Sequence, residues 1–168
     1  MNYYEQYKNK LVSVEDAVLS IHSGETVSFA QLGSCPNAIC EHMTLLKGHA
    51  TNVHTYLPVT TRNFAFICEP EYGETFDHTC GFMMPCTRKG YKNGIVSPYP
   101  NDLHSGIPRW VEANGDDVFI TAVAPMDEHG YFCMPLCLIY ERYFFEHAKR
   151  VIVEVNPRLP RVWGDTMI

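Results

Sequence analysis

The sequence has few charges and no excess of basic residues. Charged residues make up 19% of its 168 positions, and the formal net charge is −6. A mildly acidic surface does not attract phosphate backbones, which argues against nucleic acid as a main partner. The sequence also lacks an apolar run near the roughly 20 residues that span a bilayer, and the polar start of the chain has no apolar signal core. We therefore expect a cytoplasmic protein that binds neither nucleic acid nor membrane.

Closely paired cysteine motifs are also missing. The seven cysteines have irregular spacings, and most lie in apolar segments such as Phe64–Cys68. This pattern favours buried free thiols in a reducing compartment over a disulfide framework. His129, Cys133 and Cys137 recur every four residues, but structural zinc sites use tighter pairs such as Cys-x2-Cys, and Pro135 would interrupt the helix that this spacing requires. We predict no metal site.

The chain does contain an alternation of strand-like and helix-like segments along its whole length. Strands are predicted at Thr26–Ala30, Val53–Leu57, Thr75–Met84, Ile95–Pro98, Asp117–Val123 and Arg150–Val155. Helices are predicted after Ser13, after Pro36, at Leu103–Ala113 and at Leu136–Ala148, with a loop at Glu69–Glu74 and a short basic connector at Arg88–Gly94. Such alternation implies an α/β fold with an open, mostly parallel sheet and helices on both faces. No repeat or linker divides residues 1–168, so we expect one domain.

The last residues of the chain are apolar. Val162–Ile168 includes Trp163, Met167 and Ile168 and offers no helix cap or polar tail. A complete domain rarely ends with such residues exposed. We therefore expect this chain to be a piece of a longer protein.

Several segments resemble a known family. Ala124–Phe132 reads Ala-Pro-Met-Asp-Glu-His-Gly-Tyr-Phe, Val151–Asn156 reads Val-Ile-Val-Glu-Val-Asn, and Tyr7–Ser13 is followed by Ser23-Gly24. These segments are similar to a turn, a strand and the opening of the acetyl-CoA hydrolase/transferase family, a group of class I CoA-transferases. The resemblance implies that residues 1–168 are the N-terminal α/β domain of such an enzyme, and that the C-terminal catalytic domain is absent from this chain.

The resemblance also implies an activity. The family transfers coenzyme A between a short acyl-CoA, such as butyryl- or 4-hydroxybutyryl-CoA, and a carboxylic acid such as acetate. A glutamate attacks the thioester, and mixed-anhydride and glutamyl-CoA intermediates follow. That glutamate belongs to the C-terminal domain, so no catalytic residue is expected in this chain. Coenzyme A is a substrate, no cofactor is bound permanently, and the missing C-terminal domain and further copies of the chain are the expected partners. Acyl-CoA hydrolysis, or a stand-alone non-catalytic acyl- or CoA-binding module, remain alternatives.

The candidate substrate-binding residues follow two predicted strands at their carboxyl ends: Gln31, Gly33, Ser34 and Pro36 after the first, and Ser97 and Tyr99 after the fourth. The first group precedes a helix, whose free N–H groups and positive dipole end suit a carboxylate or thioester carbonyl. An ordinary turn is the alternative for both groups. Many family members have Glu-Pro in the first segment, where this chain has Cys35-Pro36.

Five further polar or turn residues match family motifs, and we interpret them as structural. Asp127 is expected to cap the next element, His129 to be hydrogen-bonded and Gly130 to take a strained φ. Glu154 and Asn156, at the end of the last strand, are expected to form a structural pair, because a polar group in a buried strand needs a partner.

Overall fold

The computed structural model of the chain describes residues 2–134 and 136–168. Within them, parallel strands form one sheet in the order β4-β3-β2-β1-β5-β6. The strands are β1 (Thr26–Phe29), β2 (Val53–Tyr56), β3 (Phe76–Cys80), β4 (Val96–Pro98), β5 (Val118–Val123) and β6 (Arg150–Val155). The open parallel sheet confirms the predicted α/β fold class.

Helices cover both faces of the sheet, as the sequence predicts. They are α1 (Tyr3–Lys10), α2 (Val14–Leu19), α3 (Asn37–His42), α4 (Ala65–Cys68), α5 (Pro85–Lys92), α6 (Gly106–Asn114) and α7 (Glu141–His147), with 3-10 turns at Leu32–Ser34, Met43–Leu46 and Pro70–Tyr72. The predicted cap of α2 is confirmed, because the Asp16 N–H donates to Ser13 Oγ at 3.0 Å. None of the helices in the described ranges is long and apolar enough to span a membrane.

The core is divided by the sheet into two clusters. Successive residues of β5 point to opposite faces, so that Ile120 belongs to the cluster with residues of α2, α3, α4 and α5, whereas Phe119 belongs to the cluster with residues of α6 and α7. On the second face, the rings of Tyr56 and Trp110 stack with centroids 4.6 Å apart. All seven cysteines are buried and unpaired, which confirms the predicted burial of the thiols.

The predicted connector Arg88–Gly94 is wrong, because most of it belongs to helix α5. This helix begins at Pro85, a residue suited to the first helical position. Thr87 stabilises the first turn of the helix, because its hydroxyl accepts the Met84 N–H at 2.8 Å. Helices α1 and α4 were also missing from the sequence-based assignment.

Two predicted elements are shorter in the structure. The strand predicted at Thr75–Met84 ends at Cys80, because the Phe82 N–H donates to the Pro58 carbonyl at 3.0 Å instead of continuing the ladder. The helix predicted at Leu136–Ala148 is confined to Glu141–His147, since the residues before it are bonded to the turn after β1. The predicted interruption at Pro135 lies outside the described residues.

Candidate substrate-binding site

The direction of the chain connections reverses between β1 and β5. From β1 the chain proceeds through β2 and β3 to β4 at one edge, and it then returns to β5 on the other side of β1. In open α/β sheets, ligands bind beyond the carboxyl ends of the strands at such a point. The Ala30 N–H still bonds to the Ile120 carbonyl at 2.8 Å, so the turn Gln31–Pro36 begins where β1 leaves the sheet.

The turn after β1 has an unusual backbone. Leu32 has a φ of 51°, a left-handed conformation that is sparsely populated by residues other than glycine and that recurs at functional sites. Its side chain is 43% exposed. Gly33 is also exposed, whereas Gln31, Ser34 and Pro36 are buried. The turn therefore presents Leu32 and Gly33 to solvent and keeps its polar side chains inside.

Residues 136–141 cover this turn. The Ser34 hydroxyl accepts the Cys137 N–H at 3.0 Å and lies 3.2 Å from the Cys137 carbonyl, to which it can donate. A Cβ atom at Gly33 would lie 2.6 Å from Leu136 Cβ, so only glycine allows this approach. The predicted turn residues are thus fixed against a segment more than 100 positions away in sequence.

A buried polar cluster links the turn to the start of α7. The Glu141 carboxylate accepts the N–H groups of Ile139 at 2.7 Å and Tyr140 at 3.0 Å, and the Gln31 N–H approaches it at 3.4 Å. The Tyr140 hydroxyl donates to Gln31 Oε1 at 3.1 Å. Burial raises the pKa of Tyr140 to about 12. Burial, with the neighbouring Glu141, also raises the pKa of Cys137 to about 12, so phenol and thiol both stay protonated.

One polar group of this cluster is unsatisfied. Gln31 is 1% exposed, and its Nε2 has no hydrogen-bond partner within residues 2–134 and 136–168. A buried amide donor without a partner costs about 1–3 kcal/mol. The Gln31 Nε2 is thus an unsatisfied donor inside this buried cluster at the carboxyl end of β1.

Ser97 and Tyr99 are not brought to this turn. They lie at the end of β4, which is separated from β1 by β3 and β2. Three strand spacings of about 4.8 Å place the two strand ends roughly 14 Å apart. The Tyr99 N–H donates to the Cys80 carbonyl at 2.9 Å, and its ring packs against the cluster that contains Tyr56.

Asp127 and Gly130 define the turn after β5. Asp127 Oδ1 accepts the N–H groups of His129 at 3.0 Å and Tyr131 at 2.8 Å, and these bonds, with Arg161 beside the carboxylate, lower the pKa of Asp127. Asp127 thus closes its own turn, and in the described residues it does not cap a following helix. Gly130 has a φ of +90°. The His129 ring is exposed and lies 3.6 Å from the Glu128 carboxylate, so the hydrogen bond from His129 to Asp127 is made by its backbone N–H.

Glu154 and Asn156 have separate partners, contrary to the expected pair. Glu154 Oε2 accepts the Ile39 N–H at 3.0 Å, and burial raises the pKa of Glu154. Asn156 Oδ1 accepts the Arg158 N–H at 2.9 Å. Glu154 lies within β6 and reaches the start of α3, whereas Asn156 lies beyond the strand end and bonds within the turn that follows.

The sequence did not indicate Leu32, Cys137, Tyr140 or Glu141 as parts of the site. Residues 136–148 contain two acidic residues, Glu141 and Glu146, and no sequence signal distinguished Glu141 from Glu146. No group of three His, Cys, Asp or Glu side chains suited to a metal ion occurs in the part of the chain that the structure describes.

Comparisons with known proteins agree with this architecture. The profile of the family described as "Acetyl-CoA hydrolase/transferase N-terminal domain" matches residues 1–168. The succinyl-CoA:cyclohexane-1-carboxylate CoA transferase of Geobacter metallireducens is 29% identical over 99% of this chain and 38% of that protein. The 4-hydroxybutyrate coenzyme A transferase of Clostridium kluyveri is 29% identical over 100% of this chain and 39% of that protein.

Solved structures are similar as well. The crystal structure of RipA from Yersinia pestis has a TM-score of 0.90 and 29% identity, and it covers 100% of this chain and 42% of that chain. A 4-hydroxybutyrate CoA-transferase from Porphyromonas gingivalis shares the fold, with a TM-score of 0.73 and 18% identity, over 99% of this chain and 38% of that chain. This chain thus spans about two fifths of the length of its curated relatives. It belongs to the acetyl-CoA hydrolase/transferase family, whose N-terminal domain it matches over its whole length.

Proposed function

We propose that this chain forms the N-terminal side of the active-site cleft of a CoA-transferase. The full enzyme would move coenzyme A between butyryl- or 4-hydroxybutyryl-CoA and a carboxylic acid such as acetate. The observation that carries the proposal is the strained turn Gln31–Pro36 at the point where the chain direction reverses, in a chain whose relatives are named CoA-transferases.

The chemistry of the turn suits an acyl group. The unpaired Gln31 Nε2 can donate to a thioester carbonyl or a carboxylate. Exposed apolar side chains stand near the carboxyl end of the sheet: Leu32, Leu103, Leu136 and Ile139. A short acyl chain gains free energy from covering such side chains. Ser97 and Tyr99 are too far away to bind the same acyl group and are proposed to contact another part of an extended acyl-CoA.

The catalytic glutamate is proposed to lie in the C-terminal part of the enzyme, which this chain does not span. Its carboxylate would attack the thioester to give a mixed anhydride and CoA thiolate. The thiolate would then attack the glutamyl carbonyl, release the acyl carboxylate and form a glutamyl-CoA thioester. The acceptor acid would take the CoA through the same steps in reverse. This assignment is supported by the engagement of Glu141 and Glu154 with backbone N–H groups.

Activity is tested with butyryl-CoA and acetate, with products identified by liquid chromatography and mass spectrometry. We expect no acetyl-CoA from the 168-residue chain alone. We expect acetyl-CoA and butyrate when the chain replaces the matching part of the Geobacter relative in a fused protein. Free CoA without acetyl-CoA would instead indicate a hydrolase. Calorimetric binding of butyryl-CoA to the chain, with no turnover by the fused protein, would favour a binding module.

The turn itself is tested with a pair of matched variants in the active fused protein. Leu32 and Leu45 have similar exposure, at 43% and 42%, but only Leu32 belongs to the turn after β1. Leu32→Ala should raise the KM for butyryl-CoA several-fold, whereas Leu45→Ala should leave it unchanged. Equal KM values for the two variants would exclude the turn as the acyl site.

The cellular setting is part of the same proposal. Seven buried, unpaired cysteines are consistent with a reducing cytoplasm. We also propose a homo-oligomer, as the family resemblance implies. Native mass spectrometry of the fused protein measures the number of subunits, and a single-subunit mass would contradict this part of the proposal.

A further inference from the structure

Two cysteines meet between helices α4 and α5, on the face of the sheet that contains Ile120. Cys68 is the last residue of α4, and Cys86 is the second residue of α5. The two residues are 2% and 1% exposed. Their Sγ atoms lie 2.9 Å apart, although the residues are 18 positions apart in sequence. Neither residue belongs to the cluster at the carboxyl end of β1, so the proposed function does not use this pair.

The separation of the two sulfurs is close to that of a covalent bond. A disulfide bond is about 2.05 Å long, so the Sγ atoms need to approach by less than about 1 Å to form one. The Cys68 thiol also lies 3.6 Å from the Cys86 carbonyl, to which it can donate. The pair is thus held as two thiols, and a small displacement of the side chains would allow a crosslink.

The backbones of α4 and α5 are fixed against each other beside the two thiols. The Asn93 side-chain amide donates to the Cys68 carbonyl at 2.7 Å. A Cβ atom at Gly90 would lie 2.1 Å from the Ile67 carbonyl oxygen, so only glycine lets α5 approach α4 this closely. Because both helices are held in this way, the Cys68 and Cys86 side chains stay in contact.

The thiol pair lies beneath a surface ion pair. The Glu69 carboxylate, next to Cys68 in sequence, bonds to Lys89 Nζ at 2.5 Å, and both side chains are exposed to solvent. Burial is the main cause that raises the pKa of Cys68 to about 12. The thiolate is the reactive form of cysteine, so oxidation of this pair should be slow and should need a small oxidant that can enter the core.

We propose that Cys68 and Cys86 are an oxidation site at which hydrogen peroxide forms a reversible disulfide between α4 and α5. The sulfur of one cysteine attacks a peroxide oxygen, the O–O bond breaks, and a sulfenic acid and one water form. The sulfur of the other cysteine then attacks the sulfenic sulfur, the S–O bond breaks, and a second water leaves with the remaining thiol proton. The two sulfurs are oxidised and the peroxide is reduced. A dithiol reductant reverses the crosslink by exchange.

The crosslink would close a loop of the chain that contains β3. This strand lies between the two cysteines in sequence, and α5 leads into β4 through the bond from the Ile95 N–H to the Gly90 carbonyl at 3.0 Å. A disulfide stabilises a protein mainly by restricting its unfolded chain. The oxidised chain should therefore resist unfolding better than the reduced chain, which is the form expected in a reducing compartment.

The first test maps the disulfide in the 168-residue chain. The reduced chain is treated with hydrogen peroxide under native conditions, and the remaining thiols are blocked in denaturant. Trypsin and chymotrypsin together place Cys68, Cys80 and Cys86 on separate peptides, which mass spectrometry identifies. We expect a link between Cys68 and Cys86 as the main disulfide, which dithiothreitol removes, and mixed pairings when the chain is oxidised in urea.

Three results of this mapping would overturn the proposal. The first is a main disulfide between other cysteines of the native chain. The second is a sulfenic or sulfinic acid at Cys68 or Cys86 without the crosslink. The third is no reaction of the native chain under conditions that crosslink the chain in urea.

The second test measures the unfolding temperature before and after oxidation with diamide, which acts on thiols and spares methionine. Cys86→Ala and Cys80→Ala are matched variants, because both cysteines are 1% exposed and belong to the same core cluster. Oxidation should raise the unfolding temperature of the unmodified chain and of Cys80→Ala by several degrees. Cys86→Ala should show no rise, and a rise equal to that of Cys80→Ala would contradict the assigned pair. If Cys86→Ala does not fold, the peptide map of the unmodified chain decides.

Discussion

Asp116 is a buried carboxyl group whose ionisation should oppose folding. It is 3% exposed and lies two residues before β5. The Ser28 hydroxyl lies 2.8 and 2.9 Å from its two oxygens, and no Lys, Arg or His in the described ranges forms an ion pair with it. Burial is the main cause that raises the pKa of Asp116 to about 7, and the neighbouring charge of Asp117 adds to the effect. Asp117 itself is paired with Lys149 at 2.6 Å.

The direction of the effect follows from proton linkage. An unfolded chain loses the Asp116 proton near pH 3.8, whereas the folded chain keeps it until about pH 7. Between these values the folded state binds more protons, so the free energy of unfolding falls as pH rises and levels off above about pH 7. A shift of roughly three units at about 1.4 kcal/mol each sets an upper bound of roughly 4 kcal/mol.

Asp116→Asn removes the ionisable carboxyl group and keeps the shape of the side chain. The assay is urea unfolding at pH 5 and pH 8, followed by tryptophan fluorescence, since Trp110 is buried. Relative to the unmodified chain, we expect the variant to gain about 2–3 kcal/mol in unfolding free energy between pH 5 and pH 8. An altered hydrogen bond to Ser28 would change the unfolding free energy by the same amount at both pH values, so it does not affect this comparison.

Asp117→Asn is the matched control. The pKa of Asp117 is lowered, chiefly by its hydrogen bond with Lys149, so this variant should lose stability at pH 5 and pH 8 alike. If Asp116→Asn and the unmodified chain have the same pH dependence, the carboxyl of Asp116 is ionised at both pH values and its assigned burial is wrong.

Three further predictions use the same unfolding assay. Burial lowers the pKa of His78 from 6.5 to about 3. The stability that neutral His78 contributes is complete above pH 6.5 and should be lost as pH falls toward 3. His78→Asn should therefore reduce the change in unfolding free energy between pH 7 and pH 4. Gly130→Ala should lower the free energy of unfolding by about 2–4 kcal/mol, because the new Cβ would lie 2.7 Å from Tyr3 Cγ. Gly24 has a similar positive φ but open space around it, so Gly24→Ala should lower the same quantity by only about 1 kcal/mol. Equal losses in the two variants would exclude the clash with Tyr3. Ser34→Ala should cost about 1–2 kcal/mol through the bonds to Cys137, and an unchanged urea midpoint would show that they contribute nothing.

The strands were the most predictable part of the fold. β6 was predicted with the bounds that the structure has, and β1 and β5 within one residue. A strand buried between helices carries its own signal, because its apolar and β-branched residues are continuous along the chain. The predicted parallel arrangement then follows from the helices between the strands.

Elements that depend on distant contacts were not predictable in this way. The aromatic stripe of residues 136–148 has helical spacing, but its first residues bond to the turn after β1, as in the contact between Cys137 and Ser34. The basic segment in α5 has polar residues and Gly90 in its centre, so no apolar pattern marked it. Its helical state depends on packing against α4, which the sequence did not reveal.

The site shows the same division between local and distant information. Each candidate residue was correctly expected near a strand end, since Gln31 follows β1 and Tyr99 follows β4. Which strand ends are neighbours depends on the order β4-β3-β2-β1-β5-β6, and sequence patterns do not encode this order. The order separates Tyr99 from Gln31 and places Tyr140, from a different part of the chain, in contact with Gln31 instead. Under the proposed function, an extended acyl-CoA would place its acyl group at Leu32 and another part near Ser97, so that substitution of Leu32 rather than Ser97 should change acyl binding.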